Sequence, residues 1–328
     1  MNNVAGRLEK ETKFYENMKV KLQGLPSILS EYCTSMRANR KAYTTVGVYV
    51  NNVLHFARFV TNGNLTEDFY KHISPSDVES YMISLETRET KNGIQRTGDD
   101  ILQSRWSSLN TFFEWAMKRG YIDKNPMGFV SRPKNNTEHR VNYLSKAEIN
   151  KLMKAVDKNP NKVMALRNKA AISLALATGL RVSALLNMNV YDIDFENNFI
   201  KVIEKRQKVR EIYIGDNVKA ILQEWIGVRN DVFADVDTAA LFVSQKRDRW
   251  SVDSFSEMLE NACAASGIKR ITPHKLRASA ACALAKAGVP VKAIAKQLGH
   301  SSTQVTMRYI DVFEEDSEKA KGILDNLF

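Results

Sequence analysis

Thr272-Pro273-His274-Lys275-Leu276-Arg277, then Gln297-Leu298-Gly299-His300, then Arg308-Tyr309: these three short runs decide how the rest of the chain is read. Thr272 and Pro273 are residue types of a helix N-cap and first helical position. His274 and Arg277 then fall three apart, on one face of the helix that follows. That helix runs through the Ala-rich stretch 278–287 and stops at Gly288. Pro290 opens a second helix, which Gly299 ends, leaving His300 at an exposed helix end. Ser302 or Thr303 can cap a third helix that presents Tyr309 about two turns later. The outcome is one phenol, two imidazoles and a guanidinium, with no acidic residue among the four. Chemistry on an ester or glycoside usually recruits a carboxylate, whereas this set fits a site that holds an anion and attacks it. The obvious anion is a phosphodiester, neutralised by preorganised donors rather than by a metal. A tyrosine hydroxyl has a free pKa of about 10, so it needs a cationic neighbourhood to act at neutral pH. A lone histidine is more often a structural hydrogen bonder, and a lone tyrosine beside apolar sequence is usually core. Their order here favours chemistry.

A second cluster lies upstream, in Ala177-Thr178-Gly179-Leu180-Arg181-Val182-Ser183. Gly179 marks the end of an apolar helix. Arg181 starts the next, where backbone N–H groups also favour an anion. Three strand-like runs follow, 191–195, 199–203 and 209–214, with turns at Asn197-Asn198 and at 204–208. In the last run Arg210, Ile212 and Ile214 share one face, and Val209, Glu211 and Tyr213 the other. The 204–208 turn carries Lys205, Arg206 and Lys208, a basic finger whose bland alternative is a solvated turn.

The first half reads as helices joined by short loops, roughly 8–36, 41–61, 75–86 and 98–119, with Ser74-Pro75-Ser76-Asp77 as a strong helix start. Its apolar stripes (Val46, Val50, Leu54, Ala57 and Val60; Leu102, Trp106, Leu109, Phe112, Phe113 and Ala116) are most simply a bundle core. Residues 131–142, with Pro133 and Asn135-Asn136, read as a linker, and Ser145 with Glu148 forms a capping box after it. A chain of 328 residues suggests two domains. The net charge of +11 points to a polyanionic partner. The excess is +7 over residues 131–180 but −4 over 311–328, so the linker region is suited to a duplex backbone and the acidic tail is not. Three cysteines, Cys33, Cys263 and Cys282, show no CxxC spacing, which removes a disulfide framework or zinc site and suits a reducing cytoplasm. The N-terminus lacks an apolar signal-type run and no stretch approaches membrane-spanning length. Candidate DNA contacts are Arg40, Lys41, Thr44, Thr45, Arg96, Gln103 and Arg105 in the first half, and Lys208, Arg210, Lys246, Arg247 and Arg249 in the second.

Arg181, Lys205, His274-x-x-Arg277, His300 and Tyr309 together resemble the full signature of the tyrosine recombinases, the phage-integrase and Xer-like enzymes. The resemblance covers roughly residues 140–312 and, more weakly, the helical half before them. Six positions stand in the family's order, with Leu298-Gly299-His300 and the nine-residue step to tyrosine intact. Two positions depart: Ala184 stands where an acidic residue commonly follows the first arginine by three, and Ala278 follows the second arginine where histidine is frequent. The first departure makes the support of Arg181 depend on other groups.

The resemblance implies a mainly α fold with a small antiparallel β-sheet. It implies a helical core-type DNA-binding domain (1–130), a linker (131–142), an α+β catalytic domain (143–310) and a tail helix for subunit exchange (311–328). The residues ahead of the helical half are too few for the separate arm-binding domain some integrases carry. The activity implied is site-specific cleavage and rejoining of DNA through a 3′-phosphotyrosyl intermediate and a Holliday junction, without cofactor or metal. Arg181, Arg277 and His300 would hold the scissile phosphate, His274 relay the proton of Tyr309, and Lys205 protonate the leaving 5′ oxygen. Partners implied are double-stranded DNA with paired recombination sites, a homo-tetramer on that DNA formed from monomers in solution, and accessory DNA-bending proteins. The rivals are type IB topoisomerase-like relaxation and a non-catalytic DNA-binding protein of the same fold.

Overall fold

A computed structural model describes residues 2–90, 93–134, 143–203, 209–234, 239–300, 302–307 and 309. The chain divides into two compact units, Met1–Glu138 and His139–Phe328.

The first unit contains α1 (Asn2–Lys21), α2 (Ser27–Ala38), α3 (Tyr43–Val60), α4 (Pro75–Ser84) and α5 (Asp99–Lys118), with a hairpin of β1 (Thr87–Thr90) and β2 (Gly93–Arg96) between the last two helices. The single helix expected over 8–36 is broken in two. Gly24 adopts a left-handed φ of +72°, and Pro26, which has no N–H to give, stands at the N-cap of α2. The hairpin escaped the sequence reading because strand β2 is exposed throughout, so no alternation betrays it. Ser74 caps α4 through a complete capping box with Asp77. The expected stripes do form the core: Val46, Val50, Ala57, Leu109, Phe112, Phe113 and Ala116 are fully buried. Aromatic edges meet aromatic faces there, as in Tyr32–Phe112 at 5.2 Å and Phe56–Tyr81 at 5.1 Å between centroids.

The second unit begins with α6 (Lys146–Asp157), whose Ser145–Glu148 capping box is complete. There follow α7 (Lys162–Thr178), α8 (Val182–Asn187), β3 (Ile193–Asp194), β4 (Phe199–Ile203), β5 (Val209–Tyr213), α9 (Asp216–Val232), α10 (Val252–Ser266), α11 (Pro273–Lys286), α12 (Val291–Leu298) and α13 (Gln304–Met307). The three strands form an antiparallel sheet in the order β3-β4-β5, with Ile200 opposite Ile212 and Lys201 opposite Glu211. The alternation read in β5 holds: Ile212 and Ile214 are buried, Val209 and Tyr213 exposed. The strand expected over 191–195 shrinks to two residues, because the Asp192 carboxylate accepts from the Asn189 N–H at 2.7 Å and closes a short 3-10 turn. Trp225, Phe242 and Phe255 fill the core. The Arg167 guanidinium lies over the Trp250 ring at 3.7 Å.

The final helices set the site. Pro273 starts α11 and Thr272 occupies its N-cap position, although the Thr272 side chain makes no capping bond. Gly179 and Gly299 end α7 and α12 with φ of +62° and +69°. The helix expected to carry Tyr309 is a single turn that stops at Met307. Tyr309 instead follows it, its N–H bonded to the Thr306 carbonyl at 3.0 Å, and its ring packs with Ala278, Ala281, Cys282, Ile294 and Leu298. Burial of that ring, rather than helix propensity, decides where the chain goes.

Candidate functional site

Four segments of the second unit converge: the turn after α7, the first turn of α11, the turn after α12, and α13 with Tyr309. The Arg277 side chain is 2% exposed, and its Nη1 donates to the Gly179 carbonyl at 2.8 Å. Arg181, the N-cap of α8, is exposed, and its Nη1 reaches the Gly299 carbonyl at 3.4 Å. Each acceptor belongs to a left-handed glycine at a helix C-terminus, where the helix dipole presents its negative end. The Gly299 carbonyl thus gives Arg181 an acceptor although no carboxylate follows it by three residues. Ala184 at that position packs against the core instead.

His300 follows Gly299. Its Nδ1 lies 2.7 Å from the Thr306 hydroxyl, which leaves Nε2 for a substrate. Its ring is nearly parallel to that of Tyr309, 15° between planes and 6.2 Å between centroids. Tyr309 itself is 6% exposed. Burial, then Arg277, Arg181, His274 and Arg210, push the His300 pKa down to about 4. His274 is lowered as well, by burial first and then by Arg277 and Arg181. Both imidazoles are therefore neutral at pH 7 and able to accept or donate a proton. Such a cluster can bind an anion and manage one proton beside a phenol.

Of the expected catalytic residues, the structure brings Arg181, His274, Arg277, His300 and Tyr309 together, while Lys205 and its neighbour Lys208 lie outside the described residues. The expected DNA contacts divide. Arg40, Lys41 and Thr44 are exposed around the end of α2 and the start of α3, Arg40 with φ of +54°. Arg96 is exposed in the hairpin, 3.7 Å from Asp99. Arg105 is half-buried beside Tyr81. Lys246 and Arg247 are exposed in a tight turn closed by the Ser244 N–H on the Asp248 carbonyl.

Two of the arginines read as DNA contacts, Arg249 and Arg210, are instead turned inward in this structure. Arg249 donates to the carbonyls of Leu186 and Met188, at 3.1 and 2.9 Å, and to the Asn189 side chain at 2.6 Å. Arg210 donates to the carbonyls of Lys296 at 2.7 Å and of Gln297. In both cases helix-end acceptors claim the charge. Sequence reasoning missed Thr306, since a threonine six residues after a histidine carries no spacing signal. It also read Gly179 and Gly299 only as helix stops, not as arginine acceptors. Among the described residues no group of three or more His, Cys, Asp or Glu side chains could hold a metal ion, and no helix is long and apolar enough to cross a membrane.

Residues 142–316 match the phage integrase family. The chain is 30% identical over 261 residues to the tyrosine recombinase XerC of Shewanella amazonensis, covering 73% of this chain and 86% of that protein. It is 29% identical over 273 residues to XerC of Leptospira interrogans, covering 83% and 84%. Among solved structures it is similar to the XerH recombinase bound to a palindromic difH substrate in a post-cleavage complex, with a TM-score of 0.72 and 19% identity over 90% of this chain and 84% of that one. It is likewise similar to a lambda integrase dimer bound to a COC′ core site, with a TM-score of 0.67 and 20% identity over 87% and 77%. These last two likenesses concern the fold.

Proposed function

Since the chain belongs to the phage integrase family and is a tyrosine-type site-specific recombinase, we propose that Arg181, His274, Arg277, His300 and Tyr309 form the centre at which it cleaves and rejoins DNA. The observation that carries this assignment is the convergence of two carbonyl-anchored arginines on a neutral His300 whose ring lies parallel to Tyr309. Arg181 and Arg277 grip the non-bridging oxygens of the scissile phosphate and offset the charge that grows there in the transition state. His300, fixed by Thr306, adds a hydrogen bond to the same oxygens. His274, neutral because burial and its arginine neighbours depress its pKa, takes the proton of the Tyr309 hydroxyl. The Tyr309 oxygen bonds to phosphorus as the bond from phosphorus to the 5′ oxygen breaks. Lys205 gives that oxygen its proton. The products are a 3′-phosphotyrosine and a 5′-hydroxyl, and attack by the 5′-hydroxyl of a partner duplex reverses the step. Tyr309 leaves its apolar packing to reach phosphorus, so substrate binding is coupled to a local rearrangement.

The first unit and the linker add further contacts to duplex DNA, in keeping with the basic excess over residues 131–180. Assembly as a tetramer on paired sites, with the acidic 311–328 tail docked on a neighbouring subunit, extends the same reading; that tail lies outside the described residues. Incubation with supercoiled plasmid, with and without two copies of a cognate site, tests the assignment. Recombinant products only with paired sites are expected. Relaxation without exchange would favour a topoisomerase, and binding without cleavage a non-catalytic protein.

A further inference from the structure

His300 owes its position to a turn that is held from outside. Helix α12 has eight residues, too few to persist by itself in water. Its C-terminal turn is closed by two internal bonds, from the His300 N–H to the Ala295 carbonyl at 2.9 Å and from the Gly299 N–H to the Lys296 carbonyl at 3.2 Å. Carbonyls at this end also take donors from outside the helix, that of Lys296 as a second bond beside the one from Gly299. The Gly299 carbonyl meets Arg181. Those of Lys296 and Gln297 both meet Nη1 of Arg210, which comes from β5, more than eighty residues earlier in the chain. Arg210 is paired across the sheet with Val202, so its backbone is fixed by the ladder. Its guanidinium thus ties a rigid strand to the two residues that precede Leu298-Gly299-His300.

We propose that Arg210 is a positioning residue for His300, clamping the last turn of α12 so that the imidazole is held where the scissile phosphate binds. This rests on the assignment of His300 to the active centre. A charged donor on carbonyls at the negative end of a helix is a strong tie. Its loss lets the turn shift, and a displacement of about 1 Å in a catalytic group can cost about 100-fold in rate. The role differs from gripping DNA, because Nη1 of Arg210 is spent on two backbone carbonyls of the helix it positions.

A double-mutant cycle on His300→Ala and Arg210→Met tests it, read as single-turnover cleavage of a nicked suicide duplex carrying a site selected from random sequence, with binding to the same duplex measured in parallel. The expectation is that each single variant slows cleavage, that Arg210→Met leaves binding within about threefold, and that the double variant is no slower than His300→Ala by more than about threefold. Full additivity would overturn the clamp and leave the site assignment standing. So would wild-type cleavage by Arg210→Met, or a loss confined to binding. Wild-type cleavage by His300→Ala would instead overturn the site assignment, and the clamp with it. If Arg210→Met does not fold, Arg210→Lys, which keeps the stem and one donor, takes its place in the same cycle with the same outcomes.

Discussion

Gly179 touches Leu298 so closely that a β-carbon on the glycine would sit 2.4 Å from Leu298 Cδ2 and 3.4 Å from the β-carbon of Ala280. The end of α7 is thus seated on the end of α12, and the same Gly179 offers its carbonyl to Arg277. One glycine therefore serves packing, backbone conformation and arginine placement at once.

Gly179→Ala carries both a left-handed φ and this collision. The first costs about 1–3 kcal/mol for a residue other than glycine, and Leu298, 1% exposed, has little room to yield. Gly267→Ala is the control, since Gly267 has a φ of +68° but nothing within 4 Å of a β-carbon. Calorimetry should show Gly179→Ala melting well below Gly267→Ala, with cleavage slowed only in the former. Equal melting points would mean that the contact with Leu298 relaxes without cost.

Tyr309→Phe should abolish covalent attachment to a nicked suicide duplex while leaving affinity within a few-fold of wild type. Removing one oxygen changes no charge, and the ring keeps its packing with Cys282, Ile294 and Leu298. Denaturing gels of the trapped complex give the answer. A covalent band that persists in the variant would move the nucleophile elsewhere.

Lys205→Ala should block cleavage of ordinary DNA and recover it on a duplex with a 5′-bridging phosphorothiolate, whose sulfur leaves without protonation. Lys208, three residues further along the same basic run of sequence, is the competing proton donor. Rescue of Lys208→Ala but not of Lys205→Ala would exchange their roles.

Much of the site was legible because its chemistry is local in sequence. Pro273, Gly288, Pro290 and Gly299 bracket α11 and α12, as their residue types suggest. What was not legible depends on contacts distant along the chain. Nothing near Arg210 announces that its acceptors are Lys296 and Gln297, and nothing near Arg249 announces Leu186 and Met188. A strand or turn arginine reads as a DNA contact until tertiary structure supplies a helix end for it. The β1–β2 hairpin stayed hidden for a different reason: its charged and polar residues have no buried face to impose period two.

Acid should weaken the second unit earlier than its carboxylates alone would. His300 and His274 both titrate below their ordinary value of 6.5 in the folded chain, His300 at about 4. Between those values the unfolded chain binds protons that the folded one refuses, so stability is fully present above about pH 6.5 and falls as pH drops toward 4. Glu148, held below its ordinary range by the Ser145 cap, adds its loss only at lower pH. Urea midpoints at pH 7.5, 5.5 and 4.5 should therefore decline, and His300→Gln should flatten the decline between 6.5 and 4. An unchanged slope in that variant would place the depressed titration on another group.

Lys246, in the turn, and Arg249, three residues on and just past it, should behave oppositely. Lys246 is exposed, and its backbone N–H donates to the Ser244 hydroxyl at 3.1 Å. If it meets a phosphate, Lys246→Ala lowers the slope of log affinity against log salt by about 1 and leaves folding stability within about 0.5 kcal/mol. Arg249 spends its guanidinium on Leu186, Met188 and Asn189, at the end of the short helix that Arg181 begins. Hydrogen bonds from a charged group contribute about 1.5–3 kcal/mol, so Arg249→Ala should lower the unfolding midpoint and leave the salt slope alone. Filter binding over a salt series, paired with urea denaturation of both variants, separates the two. A salt slope reduced by Arg249→Ala with stability intact would mean that this arginine leaves its carbonyls for DNA, and the inward assignment would fall.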